Sequence, residues 1–356
     1  YRARFVAVGD LHGDLEHALR VLRMARLVDG YGKWIASPNT VLVQTGDIVD
    51  RGRDTIALYR LFQELAVKGT VVNVRATSRT ELTVQLLGNH EMMNALGDWR
   101  YVTPEDMATF GGERQRRLAM SAEGWLGKMW STWPTTARIP YLQDLRKHQA
   151  RPPSRHRAAL LELARSANWS DVSASFVHGG IHPEWAAKPD AVRHINEVGR
   201  SLVKRAIGGV ASPVSLPRGT TPEEAAYYSE NGPLWYRGWA LDEDEEAVCA
   251  RADEVTRLLG VRRLIVGHTP HFTGIWSRCE GRVIMIDTGI SRAYGGTLSA
   301  LQARYSLQPS GPPPPPDEEP GTSLYTWHER ELVTALQEGA PPREIARVER
   351  TFELPI

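Results

Sequence analysis

The chain has only two cysteines in 356 residues. Cys249 and Cys279 are too few for a disulfide framework, and their spacing is not that of a thiolate metal site. Both are expected to be structural. Net charge is almost absent as well: the formal value is +1, so no whole-molecule field draws the chain to nucleic acid or membrane lipid. No apolar run approaches the length needed to cross a bilayer, and no internal repeat is visible. What remains is ordinary for a soluble globular protein, 42% hydrophobic and 24% charged residues. The length allows a large core, in one big α/β domain or two smaller ones. The chain starts at Tyr1, a few residues before its first strand, so a removed leader is expected and localisation stays open. Asn168-Trp169-Ser170 is a glycosylation triplet of a kind frequent by chance.

Against this plain background one design recurs: a β-branched strand, a glycine, then polar residues. In "RFVAVGDLHG" a strand over Phe5 to Val8 runs into Gly9-Asp10-Leu11-His12. Asp14 then caps a helix whose apolar face is Leu15, Ala18, Leu19, Leu22 and Ala25. In "TVLVQTGDIVDRG" a strand over Val41 to Gln44 ends in Gly46-Asp47, and a helix follows from about Thr55. "LLGNHEMM" repeats the pattern at Leu86 to Met93, as do "ASFVHGG", "RLIVGHTPH" and "RVIMIDTG" later in the chain. Asp242 and Glu245 read as a capping box before the "RLIVGH" strand. Strands alternating with helices imply an α/β fold. Continuously apolar strands imply sheets buried on both faces. In such folds sites lie beyond the carboxyl ends of the strands, where every one of these polar clusters sits.

The strand-end inventory is Asp10, His12, Asp47, Asn89, His178 and His268. Carboxylate, imidazole and amide oxygen without sulfur suit Mn, Fe or Zn. Six such donors exceed the needs of one ion, and Asp47, midway in the set, is the natural bridging carboxylate. Two ions about 3.5–4 Å apart clamp an in-line displacement at phosphorus and activate a bridging water as nucleophile. His90, next to Asn89, is positioned to protonate a leaving oxygen. Asp50 can orient that imidazole and raise its pKa. Arg51 offers a planar fork for phosphate oxygens, and Arg237 in "NGPLWYRG" is a second candidate clamp. Within "LLGNHEMM", Gly88 lets the chain turn at the strand end and Glu91 reads as a supporting group.

The blocks "GDLHG", "GDIVDRG", "GNHE" and "HGG", in this order, resemble the signature of the phosphoprotein phosphatase branch of the calcineurin-like metallophosphoesterases. The resemblance spans roughly Val6 to Gly296. It implies an α/β fold, a four-layer αββα sandwich with a helical insertion, and two metal ions. The first ion would be held by Asp10, His12 and the bridging Asp47, the second by Asp47, Asn89, His178 and His268. By the same matching His90 is the acid, Asp50 its partner, and Arg51, Arg237 and Asn89 meet phosphate. Where eukaryotic Ser/Thr members carry a Ser-Ala-Pro-Asn-Tyr block, this chain has "GISRAYGG", so Tyr294 approximates the family's active-site tyrosine. "GDWRYVTPED" resembles the Shewanella-like phosphatases, which implies a preference for phosphotyrosine.

The resulting expectation is a phosphomonoesterase of phosphoproteins or phosphopeptides, with no nucleic-acid partner and no phosphocysteine intermediate. A dinucleoside polyphosphate hydrolase and a catalytically dead scaffold stay open as alternatives, as does the oligomeric state. Residues 1–356 are expected as one domain, with a core over about 4–97 and 174–305 and a helical insertion over about 98–172. A Pro-rich loop over 309–320 and a short C-terminal segment over 321–356 complete it. Trp99, Tyr101, Phe110, Trp125, Trp130 and Trp133 are expected to pack the insertion onto the body; the alternative is an apolar wall receiving a phosphotyrosine ring. The basic stretch Arg146 to Arg157 reads as a solvated loop, and His182 and His271 are expected outside the ligand set.

Overall fold

A computed structural model describes residues 1–37, 39–68, 83–142, 172–209, 215–310 and 324–355. Two sheets face each other. The first runs β11-β10-β9-β1-β2-β3, from β1 (Arg2–Val8), β2 (Thr40–Gln44), β3 (Thr83–Gln85), β9 (Ser299–Pro309), β10 (Leu324–Gln337) and β11 (Arg343–Pro355). The second runs β4-β5-β6-β8-β7, from β4 (Thr136–Pro140), β5 (Ser173–Val177), β6 (Arg263–Val266), β7 (Trp276–Arg278) and β8 (Val283–Met285). β1, β2 and β3 are mutually parallel, as are β5, β6 and β8. Their carboxyl ends carry the polar clusters.

The apolar runs split by pleat, as the period of two requires. Phe5, Ala7, Val41 and Val43 meet Phe176, Ile265 and Ile284 between the sheets. Val6, Val8 and Leu42 instead face α1 (Leu15–Met24) and α2 (Thr55–Lys68), burying Val21, Leu22, Leu58 and Phe62. Val266 and Met285 likewise meet Val248 and Val255 of the helix Glu245–Leu259. Helices therefore cover both outer faces, the layered α/β arrangement expected. Asp14 caps α1, accepting from the His17 N–H at 3.1 Å.

Two local readings need correction. The helix Glu245–Leu259 is capped by Asp244, which accepts from the Ala247 N–H at 3.0 Å. Asp242 sits two residues too early and accepts from the Asp244 N–H instead, at 3.0 Å. After α3 (Asn89–Leu96), the stretch expected as helical insertion does hold α4 (Pro104–Thr109), α5 (Glu113–Met120) and α6 (Trp125–Trp130). Thr136–Pro140 within it is β4, paired antiparallel to β5. Arg146 to Arg157, the triplet at Asn168 and most of the Pro-rich stretch lie outside the described residues. Cys249 and Cys279 form one bridge, S–S 2.06 Å, tying the helix Glu245–Leu259 to the turn before β8.

The largest difference is at the C-terminus, where a short segment was expected. β10 and β11 form a long antiparallel hairpin that completes the first sheet. Its alternation is disguised because two inward positions of β10 hold glutamates, Glu329 and Glu331, each 1% exposed. They meet arginines from the second sheet. Arg263 donates to Glu331 through Nε at 2.8 Å and Nη2 at 2.9 Å, and Arg262 bridges Glu331 and Glu329 at 3.0 Å each. Burial pushes the Glu331 carboxyl up, but Arg263 and Arg262 outweigh it and hold it below the usual glutamate range. A depressed folded pKa stabilises above the unfolded value, about 4.3, and that contribution is lost as pH falls through the folded value. Glu331→Gln is therefore expected to cost about 3 kcal/mol at pH 7, with the gap to the parent narrowing in denaturant melts below about pH 4.

Candidate active site

The second and third blocks meet at Asp47. Gly46 takes φ 98°, and a Cβ there would lie 2.5 Å from the Gly88 backbone nitrogen. A Cβ on Gly88 would lie 2.1 Å from Asp47 Oδ1, so two strand-end loops approach through paired glycines. Glu91, in the first turn of α3, locks this approach. Its carboxylate accepts from the N–H groups of Asp47 (2.8 Å), Gly88 (2.8 Å) and Ile48 (2.9 Å), and from the Tyr59 hydroxyl (2.9 Å). Among the described residues, five of the nine non-glycine residues with positive φ are His12, Asp47, Asp50, Arg51 and His268. Each such backbone costs roughly 1–3 kcal/mol and persists only where surroundings over-determine it.

Asp47 is the hub. Its Oδ1 accepts from the His90 N–H at 2.9 Å. Its Oδ2 lies 3.4 Å from His178 Nε2, 3.7 Å from His12 Nε2 and 3.8 Å from His90 Nε2. Asp10 stands behind, 4.0 Å from both His12 Nε2 and His178 Nδ1, and accepts from the His268 N–H at 3.3 Å. Asn89 Oδ1 is 2.7 Å from His178 Nε2. The other ring nitrogens are engaged: His12 Nδ1 meets the Val49 carbonyl at 3.1 Å and His178 Nδ1 the Thr45 carbonyl at 2.9 Å. Such contacts orient a ring so that Nε2 faces the centre.

The donor set fits metal ions on two observations. His268 Nε2 is buried and makes no hydrogen bond, an orphan of the kind a bound ion satisfies. Asp47 belongs to two donor groups, one with His12 and His90 and one with His178 and His268, each with its donor atoms within 4.8 Å of one another. Protonation agrees. Burial holds His12 down at about 3 and His268 well below the usual histidine range, which leaves both imidazoles neutral. Asp47 is held below the usual carboxylate range: burial opposes its charge, and contacts led by His178 and His90 overcome it. Neutral imidazole and ionised carboxylate are the ligating forms.

His90 differs from its neighbours. Its Nδ1 meets Asp50 Oδ2 at 2.7 Å, and Asn94 Nδ2 holds Asp50 by both oxygens at 2.9 and 3.0 Å. Burial disfavours the imidazolium, but the carboxylates of Asp47 and Asp50 prevail and raise its pKa. Arg51 lies between two rings, its guanidinium carbon 4.3 Å from the Tyr101 centroid and 4.6 Å from that of Tyr294. Tyr101 also packs on His90 at 5.0 Å, and Tyr294 on His12 at 5.0 Å. Arg237 Nη1 donates to the His268 carbonyl at 3.1 Å and to Thr269 Oγ1 at 2.9 Å.

The expected ligands, with His90, Asp50, Arg51, Arg237 and Tyr294, thus lie in one cluster. His271 and His182 do not join it. The His271 ring stacks on Trp276 at 5.2 Å, and His182 caps the short helix Pro183–Ala186. Trp130 packs inside, donating to the Tyr59 hydroxyl at 3.1 Å, and Trp133 is buried as well; Tyr101 is the insertion's aromatic that reaches the site. Sequence reasoning missed Asp287, after β8, whose carboxyl burial and nearby charge push up to about 6. Its "IDTG" repeats the strand-end pattern, which was the available signal. It also missed Asn94, Arg116 and Asp106. Arg116, fully buried, donates to Asn94 Oδ1 at 2.9 Å, lies 3.6 Å from Asp50 Oδ1 and pairs with Asp106.

The calcineurin-like phosphoesterase profile matches residues 3–272. An uncharacterised protein of Schizosaccharomyces pombe is 37% identical over 300 residues, covering 83% of this chain and 76% of its own length. Shewanella-like protein phosphatase 2 of Arabidopsis thaliana is 29% identical over 311 residues, covering 81% of this chain and 72% of its own. Among solved structures, the cold-active protein-tyrosine phosphatase of a psychrophilic Shewanella species superposes with a TM-score of 0.62 at 23% identity, over 85% of this chain and 77% of that one. The chain belongs to the calcineurin-like phosphoesterase family, with Shewanella-like protein phosphatases among its relatives.

Proposed function

We propose that the chain is a two-metal phosphomonoesterase of phosphoproteins with a preference for phosphotyrosine. The observation that carries this reading is the Asp47 carboxylate, one oxygen of which lies within 3.8 Å of three imidazoles belonging to two donor groups. Asp10, His12 and Asp47 would hold one ion, and Asp47, Asn89, His178 and His268 the other. Ions of the Mn, Fe or Zn class supply Lewis-acid activation at phosphorus when bound there. Arg51 and Arg237, with the Asn89 amide, bind the phosphate oxygens. Tyr101 and Tyr294 hold the Arg51 plane fixed, so its fork is pre-organised. His90 gives its Nε2 proton to the leaving oxygen, and Asp50, accepting from Nδ1–H, favours the imidazolium that carries that proton. The rings of Tyr101 and Tyr294 beside that arginine favour an aryl leaving group. The names of the Shewanella-like relatives support the protein phosphatase reading.

The test compares phosphate release from a phosphotyrosine peptide, a phosphoserine peptide and diadenosine tetraphosphate, with Mn²⁺ and with chelator. Fastest release is expected from phosphotyrosine, with none under chelation. Best turnover of the tetraphosphate would instead favour a nucleotide hydrolase, and no turnover of any substrate would favour a scaffold. His90→Asn should keep the metal content and lose about 10²–10⁴ in turnover. The loss should be greater for phosphoserine, because an alkoxide needs protonation more than a phenolate does.

A further inference from the structure

A trough of about 620 Å³ lies between α1 and α2. Leu15 and Leu19 of α1, Ile56 and Leu61 of α2 and Tyr31, 90% exposed, line it. Through Ile56 and Thr109 it continues into a second hollow of about 420 Å³, bounded by Phe110, Leu118 and Trp125. Leu118 is 62% exposed and Trp125 37%. Apolar side chains grouped in this way are a mark of an interaction surface.

The two halves differ in charge. Lys33, Arg53 and Arg60 line the first. Neither Arg53 nor Arg60 forms an ion pair or side-chain hydrogen bond among the described residues. The carboxylates there are engaged: Asp54 accepts from the Leu15 N–H at 3.3 Å, and Glu64 has a partner of its own. No cation lines the second half.

We propose that this trough docks a segment of a partner protein in which acidic residues stand beside bulky apolar ones. The acidic residues meet Arg53 and Arg60, and the apolar side chains fill the hollow at Leu118 and Trp125. Charge complementarity at one end and apolar anchoring at the other define the occupant and exclude its basic counterpart. Arg53 follows Arg51 by two residues, so a phosphoprotein held here is tethered beside the candidate phosphate-binding arginine. That consequence rests on the catalytic reading, whereas the docking does not.

The test uses the full chain and a fluorescein-labelled peptide with a run of glutamates followed by Phe and Leu, read by anisotropy. Binding is expected, and a lysine-for-glutamate counterpart should not bind. Arg60→Glu and Leu118→Asp, both exposed and outside the candidate catalytic machinery, should each weaken binding at least about tenfold. Both should retain the parent's melting temperature and its rate on p-nitrophenyl phosphate. Equal affinity for the two peptides, or unchanged affinity in both variants, would overturn the proposal. So would sedimentation showing a dimer that Leu118→Asp dissociates, because a second copy would then be the occupant. An inactive parent that still binds the acidic peptide would defeat the catalytic reading and leave the docking intact.

Discussion

Asp47→Asn is expected to abolish stable metal binding and to lower phosphate release at least about a thousandfold, more than 4 kcal/mol of transition-state stabilisation. The substitution isolates charge. Asparagine is nearly isosteric and tolerates the left-handed backbone that Asp47 adopts at φ 54°. It keeps an oxygen to accept from the His90 N–H, and the Glu91 contact to the residue 47 backbone is untouched. Removed is the anion that His178, His12 and His90 share within 3.8 Å. An amide oxygen cannot bridge two cations at comparable affinity. Metal analysis on the folded variant checks this. Retention of both ions with full activity would refute the bridging role.

Arg116→Met should be the most damaging change outside the metal cluster, costing about 3–5 kcal/mol in denaturant melts. The guanidinium is fully buried and lies among Asp106, Asn94 and Asp50. Methionine fills much of the volume but leaves buried carboxylates without a counter-charge. Burial already raises the Asp106 carboxyl even with Arg116 beside it. Losing the cation raises it further, so protonation then favours the folded state. The deficit should be largest above the folded pKa and shrink as pH falls through it. Asp106→Asn in the same background should recover part of the loss, since the uncompensated charge goes with it. Turnover should fall about tenfold as Asn94, which Arg116 orients, loosens its hold on Asp50. A melt within 1 kcal/mol of the parent would show that Asp50 and Asp106 are solvated rather than paired.

These two predictions stand on opposite sides of what could be read from the chain. The ligand candidates were legible because each follows a buried strand within a few residues, in contiguous blocks such as "GDLHG" and "GNHE". Parallel strands bring their carboxyl ends together, so sequence-local signals converge in space. Arg116 carries no such signal. It sits in "ERQRRLAM", where its neighbours are solvated arginines, and only the packing of α5 against the site turns it inward. Glu329 and Glu331 disguised β10 because inward glutamates break the apolar alternation, their partners being about 70 residues away. The bridge between Cys249 and Cys279 spans 30 residues and depends on tertiary contact in the same way. Tyr101 was noted among the aromatics of the insertion, but its place against Arg51 depends on how residues 97–103 lie over the strand-end loops.

The central claim is that the cluster around Asp47 is a two-metal phosphoesterase centre. The most direct test measures metal per chain on the parent protein, before and after chelation, with phosphate release from a phosphotyrosine peptide followed on the same samples. The account predicts about two equivalents of metal, loss of hydrolysis in step with metal removal, and recovery on adding Mn²⁺. Undiminished hydrolysis by metal-free protein would contradict it.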